Sequence, residues 1–191
     1  MAAFSFNSNA AAGVFVKGLD AYVEYQAGSA DAVLNFSLRG SNFKAAAIWF
    51  DGSVAVAVED ANGRRSVIYR DGLPTGESGL PKIGFSGSSE SRGNSYLIGV
   101  HDFTNDGSPE LTVAVTDGAD GTAIYVYQYD GYGWKVIGKM VTVGKGLGGC
   151  RIFRQALTMK DASGTLYTWT CHGSSFDFLS SDKLNDPSRL Y

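Results

Sequence analysis

The chain has 191 residues, 18% of them charged and 44% hydrophobic, with a net charge of -3. That length can bury a substantial core without a metal or a disulfide. The 16 Lys and Arg are scattered rather than gathered into a stripe, which excludes a nucleic-acid footprint. Apolar stretches such as 54–58 are strand-length, far below the roughly 20 residues of a membrane helix, so no membrane span is expected.

Residues 1–7 carry neither a basic start nor a long apolar run, so no signal peptide is read there, although a mature chain with an added Met would look the same. The apolar segment 10–16 could donate a strand to a neighbour. From there the dominant signal is two-residue alternation bounded by Gly, Asp, Asn and Ser, with no helical stripe of i, i+3, i+4, i+7 spacing, so the chain reads as all-β. Strands are expected over 44–50, 53–58 and 66–69, joined by the Asp51-Gly52 and Asp60-Ala61-Asn62-Gly63 turns. Residues 73–94 are rich in Gly, Ser and Pro and read as a long surface connection. The expectation is a single domain of antiparallel meanders, with two halves of about 1–72 and 95–180 on either side of that connection.

The clearest strand is 111–116, with Leu111, Val113 and Val115 on one side and Thr112, Ala114 and Thr116 on the other. Its partner is 122–129, where Ile124 and Val126 oppose Tyr125, Tyr127 and Tyr129 across the strand, and 134–143 completes the meander after Asp130-Gly131-Tyr132-Gly133. The Gly-rich run 144–149 lacks phosphate-loop spacing and reads as a bend. Cys150 and Cys171 flank a segment whose midpoint is the turn-like 160–164. As one hairpin it would set the two thiols opposite each other, a geometry a disulfide could bridge in an oxidising compartment. Two buried free thiols are the alternative.

Enzymatic constellations are weak. His101 and His172 could be grouped with the cysteines as a zinc set, but adjacent Cys171 and His172 point to opposite faces of a strand. Gly84-Phe85-Ser86-Gly87-Ser88 fails the last position of a nucleophile elbow. Asp20, Glu24, Asp31, Glu59 and Asp177 leave glycoside chemistry open without favouring it.

The segment that carries chemistry is 102–110. Asp102, Thr104, Asp106 and Glu110 would offer side-chain oxygens at positions one, three, five and nine, Ser108 a backbone carbonyl, and Gly107 the sharp turn at six, an oxygen-rich spacing suited to calcium. The alternative is a turn ordered by the same carboxylates accepting backbone N–H groups, with no ion. The segment resembles the acidic loop of FG-GAP or VCBS-type repeats, the β-propeller blade unit also found in integrin-like proteins. That pattern is an apolar strand, Asp-x-Asp-x-Asp-Gly-x-x-Asp or Glu, and a second apolar strand; the match spans about 96–140, with Thr104 in place of a carboxylate. The resemblance implies a propeller-like, partial-propeller or sandwich arrangement, an extracellular or periplasmic setting, calcium, and recognition of another protein. At the usual repeat length of about 40 to 45 residues the chain would hold about four blades.

Tyr125, Tyr127, Tyr129, Tyr132 and Trp134 concentrate around one hairpin, and Tyr167 and Trp169 lie on another. Exposed Tyr and Trp anchor protein or carbohydrate recognition, while cross-strand pairing in the core is the ordinary alternative. The functional expectation is a non-enzymatic, extracytoplasmic protein-binding domain, either an adhesion-type module or a periplasmic inhibitor or immunity-type protein. A self-assembling subunit of a filament or coat and a carbohydrate-binding domain are the other readings.

Overall fold

The computed structural model describes residues 16–26, 29–50, 53–71, 95–116, 121–143, 150–161 and 163–183. Alternation becomes strand throughout them, with no helix among the described residues. In chain order the strands are β1 (Val16–Lys17), β2 (Ala21–Gln26), β3 (Ala32–Leu38), β4 (Ser41–Phe50), β5 (Ser53–Glu59), β6 (Arg65–Arg70), β7 (Ser95–His101), β8 (Glu110–Thr116), β9 (Gly121–Tyr129), β10 (Trp134–Val143), β11 (Cys150–Phe153), β12 (Ala156–Lys160), β13 (Thr165–His172) and β14 (Ser175–Lys183). Every strand given bounds above is present, while β1, β2, β3 and β14 lie outside the expected set, as does the division of 150–171 into three strands. The β3–β4 hairpin turns on Arg39 and Gly40 with φ of 50° and 77°. Two successive left-handed residues make the mirror-image turn whose twist suits a tight hairpin.

The strands form three sheets. The first runs β3-β4-β5-β6, the middle one β10-β9-β8-β7-β2, and the last β1-β11-β12-β13-β14. All pairings are antiparallel except β1 with β11. The middle and last sheets each take strands from both sides of residues 72–94, because β2 pairs with β7 and β1 with β11.

The middle sheet is covered on both faces, and its alternation shows how. Leu111, Val113 and Val115 of β8 and Tyr125 and Tyr127 of β9 pack with Leu34, Phe36, Phe43, Val54, Val56 and Val58 of the first sheet. Ala114, Ile124, Val126 and Met140 pack on the opposite face with Cys150, Ile152, Leu157, Met159 and Cys171 of the last sheet. A strand sandwiched this way loses its polar side, and all seven residues of β8 are buried. Burial of each such aliphatic side chain contributes on the order of 1.5–3 kcal/mol. Polar ties reinforce the first interface, where Tyr69 and Tyr96 hydroxyls both donate to Asp71. At the second interface β10 carries a register shift next to Gly138, and a Cβ there would meet the Phe176 ring of β14 at 2.5 Å. Only glycine lets those two strands approach so closely.

The Cys150–Cys171 hairpin is corrected. The intervening segment contains β12 as well, so Cys150 on β11 and Cys171 on β13 are separated by a whole strand, and both are free, buried thiols. Two inter-strand steps amount to about 9–10 Å, beyond the reach of a disulfide. Burial pushes the thiols up to about 12 and about 11, so neither is a ready thiolate.

Candidate functional site

The β9–β10 hairpin is organised by Asp130. Its Oδ1 accepts the N–H groups of Tyr132 and Gly133 at 2.8 and 2.9 Å, and its Oδ2 pairs with Lys135 Nζ at 2.7 Å. The bond from Lys135, followed by the two amides, holds the carboxyl well below its ordinary range. With Gly131 at φ 98°, the turn projects Tyr132 into solvent at 99% exposure. Behind it, Tyr129 and Trp134 pack at a 46° tilt with centroids 5.3 Å apart and meet Phe43 edge-on at 5.2 and 5.8 Å. That packing leaves both rings half-buried and fixes their orientation.

Facing this hairpin is the turn into β6. Asp60 Oδ1 accepts the N–H groups of Asn62 and Arg64 at 2.8 and 2.9 Å, and Gly63 supplies φ of 76°. Glu59 is bridged by Lys44 and Arg65, and those two bonds lower its pKa, Lys44 contributing most. Among the described residues the Arg64 side chain is in no ion pair. Between the turn and the hairpin lies a groove of about 590 Å³. One wall carries Tyr129, Tyr132, Trp134 and Val136, the other Arg64 and residues 65–68, with Phe43, Val58 and Tyr127 beneath. Four consecutive β6 residues line it, although successive side chains point to opposite faces. The groove therefore opens onto the edge of β6, the outermost strand of its sheet. Main-chain donors and acceptors at a strand edge, a rigid aromatic wall and a guanidinium together suit an extended peptide.

Of the five aromatics proposed as a surface, Tyr129, Tyr132 and Trp134 form a wall of this groove, and Tyr127 reaches it only from the floor. Tyr125 and Tyr127 are corrected: at 7% and 2% exposure they belong to the core, because the first sheet covers the face they share with Tyr129. Tyr125 packs against Tyr69 with centroids 5.5 Å apart, and burial raises its pKa to about 12. The opposite wall was not legible. Asp60-x-x-Gly63 signals the turn before Arg64, but nothing in it signals that this turn faces the other hairpin.

The acidic loop forms a different structure. Glu110, 1% exposed, accepts from the N–H of Phe103 at 2.9 Å, the N–H and Oγ1 of Thr104 at 3.2 and 3.1 Å, and Nε2 of Gln128 at 3.3 Å. Burial raises its pKa and outweighs the four donors, each of which lowers it. Asp102 accepts the N–H groups of Asp106 and Gly107 at 3.1 and 2.9 Å, and Asp106 accepts that of Ser108 at 2.8 Å. Asn105 and Gly107 take φ of 57° and 82° to close the turn. These carboxylates face the loop's own amides rather than a common centre. Among the described residues no three His, Cys, Asp or Glu side chains converge to hold a metal. As placed, the set does not fit a calcium cage, which would need the loop to exchange amide bonds for the ion.

The histidines are likewise apart. His101 on β7 presents Nε2 to the Arg154 carbonyl at 2.7 Å and Nδ1 to Asp20 Oδ2 at 3.2 Å, tying the middle sheet to the β11–β12 turn. His172 is exposed at the end of β13. Among the described residues no helix is long and apolar enough to cross a membrane. In comparison with known proteins, no family model matches this chain and no curated protein is significantly similar to it.

Proposed function

We propose that the chain is a non-enzymatic protein-recognition domain acting outside the cytoplasm, of adhesion type or as a periplasmic inhibitor or immunity-type protein, with the β6–β9–β10 groove as its recognition surface. The observation that carries this reading is the pairing of a strand edge with a fixed aromatic wall and the Arg64 guanidinium. An extended segment of a partner would add as a strand beside β6, place an apolar side chain against Trp134 and Tyr129, and offer a carboxylate to Arg64. Three sheets stacked face to face, antiparallel but for the β1–β11 pair, with a hydrogen-bonded acidic loop between β7 and β8, support a blade-like reading of 96–140 and hence the extracytoplasmic setting.

The test is selection of a displayed random peptide library on the full chain, followed by binding to Tyr132→Ala and Arg64→Glu. Both positions are exposed, so fold is preserved. Enriched peptides should combine apolar and acidic residues and lose about tenfold or more in affinity to each variant. No enrichment, or peptides indifferent to both variants, would refute the groove as the site. A carbohydrate-binding reading draws on a second aromatic platform, Tyr167 stacked on Trp169 at 6.2 Å with Phe178 edge-on at 5.8 Å. A glycan panel followed by Trp fluorescence decides it, since a bound ring must perturb Trp169.

A further inference from the structure

The open edge of β6 is short, and both of its ends are defined. The Asp60 N–H donates to the Arg64 carbonyl at 2.9 Å, and pairing continues with Glu59 opposite Arg65, Val58 opposite Ser66 and Ala57 opposite Val67. Main-chain groups in an antiparallel ladder point alternately to one neighbour and the other, so Arg64 and Ser66 bond β5 while Arg65 turns its N–H and C=O to the open side. Val56 then pairs with Tyr69, which leaves Ile68 as an extra residue, a bulge that interrupts the edge. At the other end the chain bends away through Gly63 at φ 76°. A regular edge is therefore offered only by residues 65–67, room for about three residues of an added strand.

We infer, on the reading of this groove as the recognition surface, that its ligand is the free C-terminus of a partner chain, with the terminal carboxylate on Arg64. Every pairing in the first sheet is antiparallel, and antiparallel addition is the more stable mode. An antiparallel ligand runs opposite to β6, so its C-terminal end arrives beside Arg64. A chain that continued past this point would leave the edge, with no main-chain partner for its next amide. A chain that ends there presents a carboxylate to a guanidinium that is in no ion pair among the described residues. Arg65 is taken, since Glu59 holds it. The turn amides are taken too, because Asp60 Oδ1 accepts those of Asn62 and Arg64. A charge-assisted, two-pronged guanidinium–carboxylate contact supplies the strength that so short a ladder lacks.

Register also assigns the ligand's side chains, because directly opposite residues share a face. The Arg65 side chain lies with Lys44 and Glu59 on the outer face of the first sheet. A terminal ligand residue opposite Arg65 therefore points outward. The penultimate residue, opposite Ser66, points inward on the side of buried Val58, towards Trp134 and Tyr129. The groove thus selects a large apolar residue next to last and restricts the last one little.

Two displayed libraries of short random peptides test this on the full chain, one with free C-termini and one with the random segment inside a longer chain. Enrichment is expected from the first, with a large apolar residue next to last. A synthetic peptide of the enriched sequence, as free acid and as C-terminal amide, is then titrated by fluorescence anisotropy against the wild-type chain and Arg64→Gln, an exposed position. The acid should bind the wild type about tenfold or more tightly than the amide, and the difference should shrink to about twofold or less on Arg64→Gln, because both changes remove one contact. Acid and amide that bind the wild type equally, with Tyr132→Ala still weakening both, would overturn the C-terminal ligand and leave the groove standing. Equal enrichment from the internal library, again sensitive to Tyr132→Ala, would do the same. An acid–amide difference that persists in full on Arg64→Gln would overturn Arg64 as the anchor. Peptides from neither library that depend on Tyr132 or Arg64 would overturn the groove and its ligand together.

Discussion

The loop between β7 and β8 and the turn between β12 and β13 use one device, a carboxylate accepting the amides of the chain that bends around it, with opposite electrostatic results. Asp161 Oδ1 accepts the Ser163 hydroxyl at 2.7 Å and the N–H groups of Ser163 and Thr165 at 2.9 Å each, and Oδ2 accepts the Tyr167 hydroxyl at 3.0 Å. Its carboxyl is held below the ordinary range, chiefly by the Ser163 hydroxyl. Glu110 accepts as many bonds yet is raised, because burial costs its charge more than the donors return. Hydrogen bonds to a carboxylate therefore report its ionisation only together with its solvation.

Substitution should separate the two. Glu110→Ala leaves buried donors at Phe103 and Thr104 without an acceptor and should cost about 3 kcal/mol. For a chain of this size that lowers the thermal midpoint by roughly 6–12 °C, as denaturant and thermal unfolding would show. Glu110→Gln keeps an acceptor and should lose clearly less. An equal loss in both variants would mean that the charge, not the acceptor, holds the loop.

The pH dependence sharpens the contrast, because the two sites have opposite signs. The folded-state pKa of Glu110 lies above its ordinary 4.5, so the folded chain binds more protons and the Glu110 contribution falls as pH rises from about 4.5 through the raised value. Asp161 behaves in the reverse sense. Its contribution is present above the ordinary 3.8 and fades as pH falls through the lowered folded value. Urea midpoints measured against pH should therefore show Glu110→Gln removing a decline and Asp161→Asn removing a rise; slopes of one sign would break the comparison.

At neutral pH Asp161→Ala should destabilise by a fraction of the Glu110→Ala loss, because water replaces the carboxylate for the exposed amides of its turn. The smallest effect expected is that of calcium. With Asp102, Asp106 and Glu110 already occupied by amides, millimolar calcium added to chelated protein should leave the thermal midpoint within about 1 °C. A clear rise that Asp106→Ala abolishes would show instead that the loop reopens around the ion.

The sequence carried the first sheet's central strands and the whole β8–β9–β10 meander, since local alternation and Asp-Gly turns act within a few residues. Strand β11 was hidden because its turn relies on Arg154 at φ 55°, a left-handed residue with no glycine to announce it. That turn separated Cys150 from Cys171 by an extra strand. The groove was half legible. Aromatic crowding pointed to Tyr129, Tyr132 and Trp134, whereas Arg64 became a wall residue only when the first sheet packed on the middle one.

By itself the chain determined its class: alternating apolar residues punctuated by Asp and Gly form strands whatever they later touch, and scattered charge gives no basic stripe. Only the tertiary structure decided which alternating face meets solvent. Tyr125 and Tyr129 share one side of β9, yet Tyr125 is buried against Tyr69, whereas Tyr129 meets Phe43 near the start of β4 and stays half-open. The same sequence pattern thus makes a core or a binding wall, and the difference lies in what the neighbouring sheet sets against it.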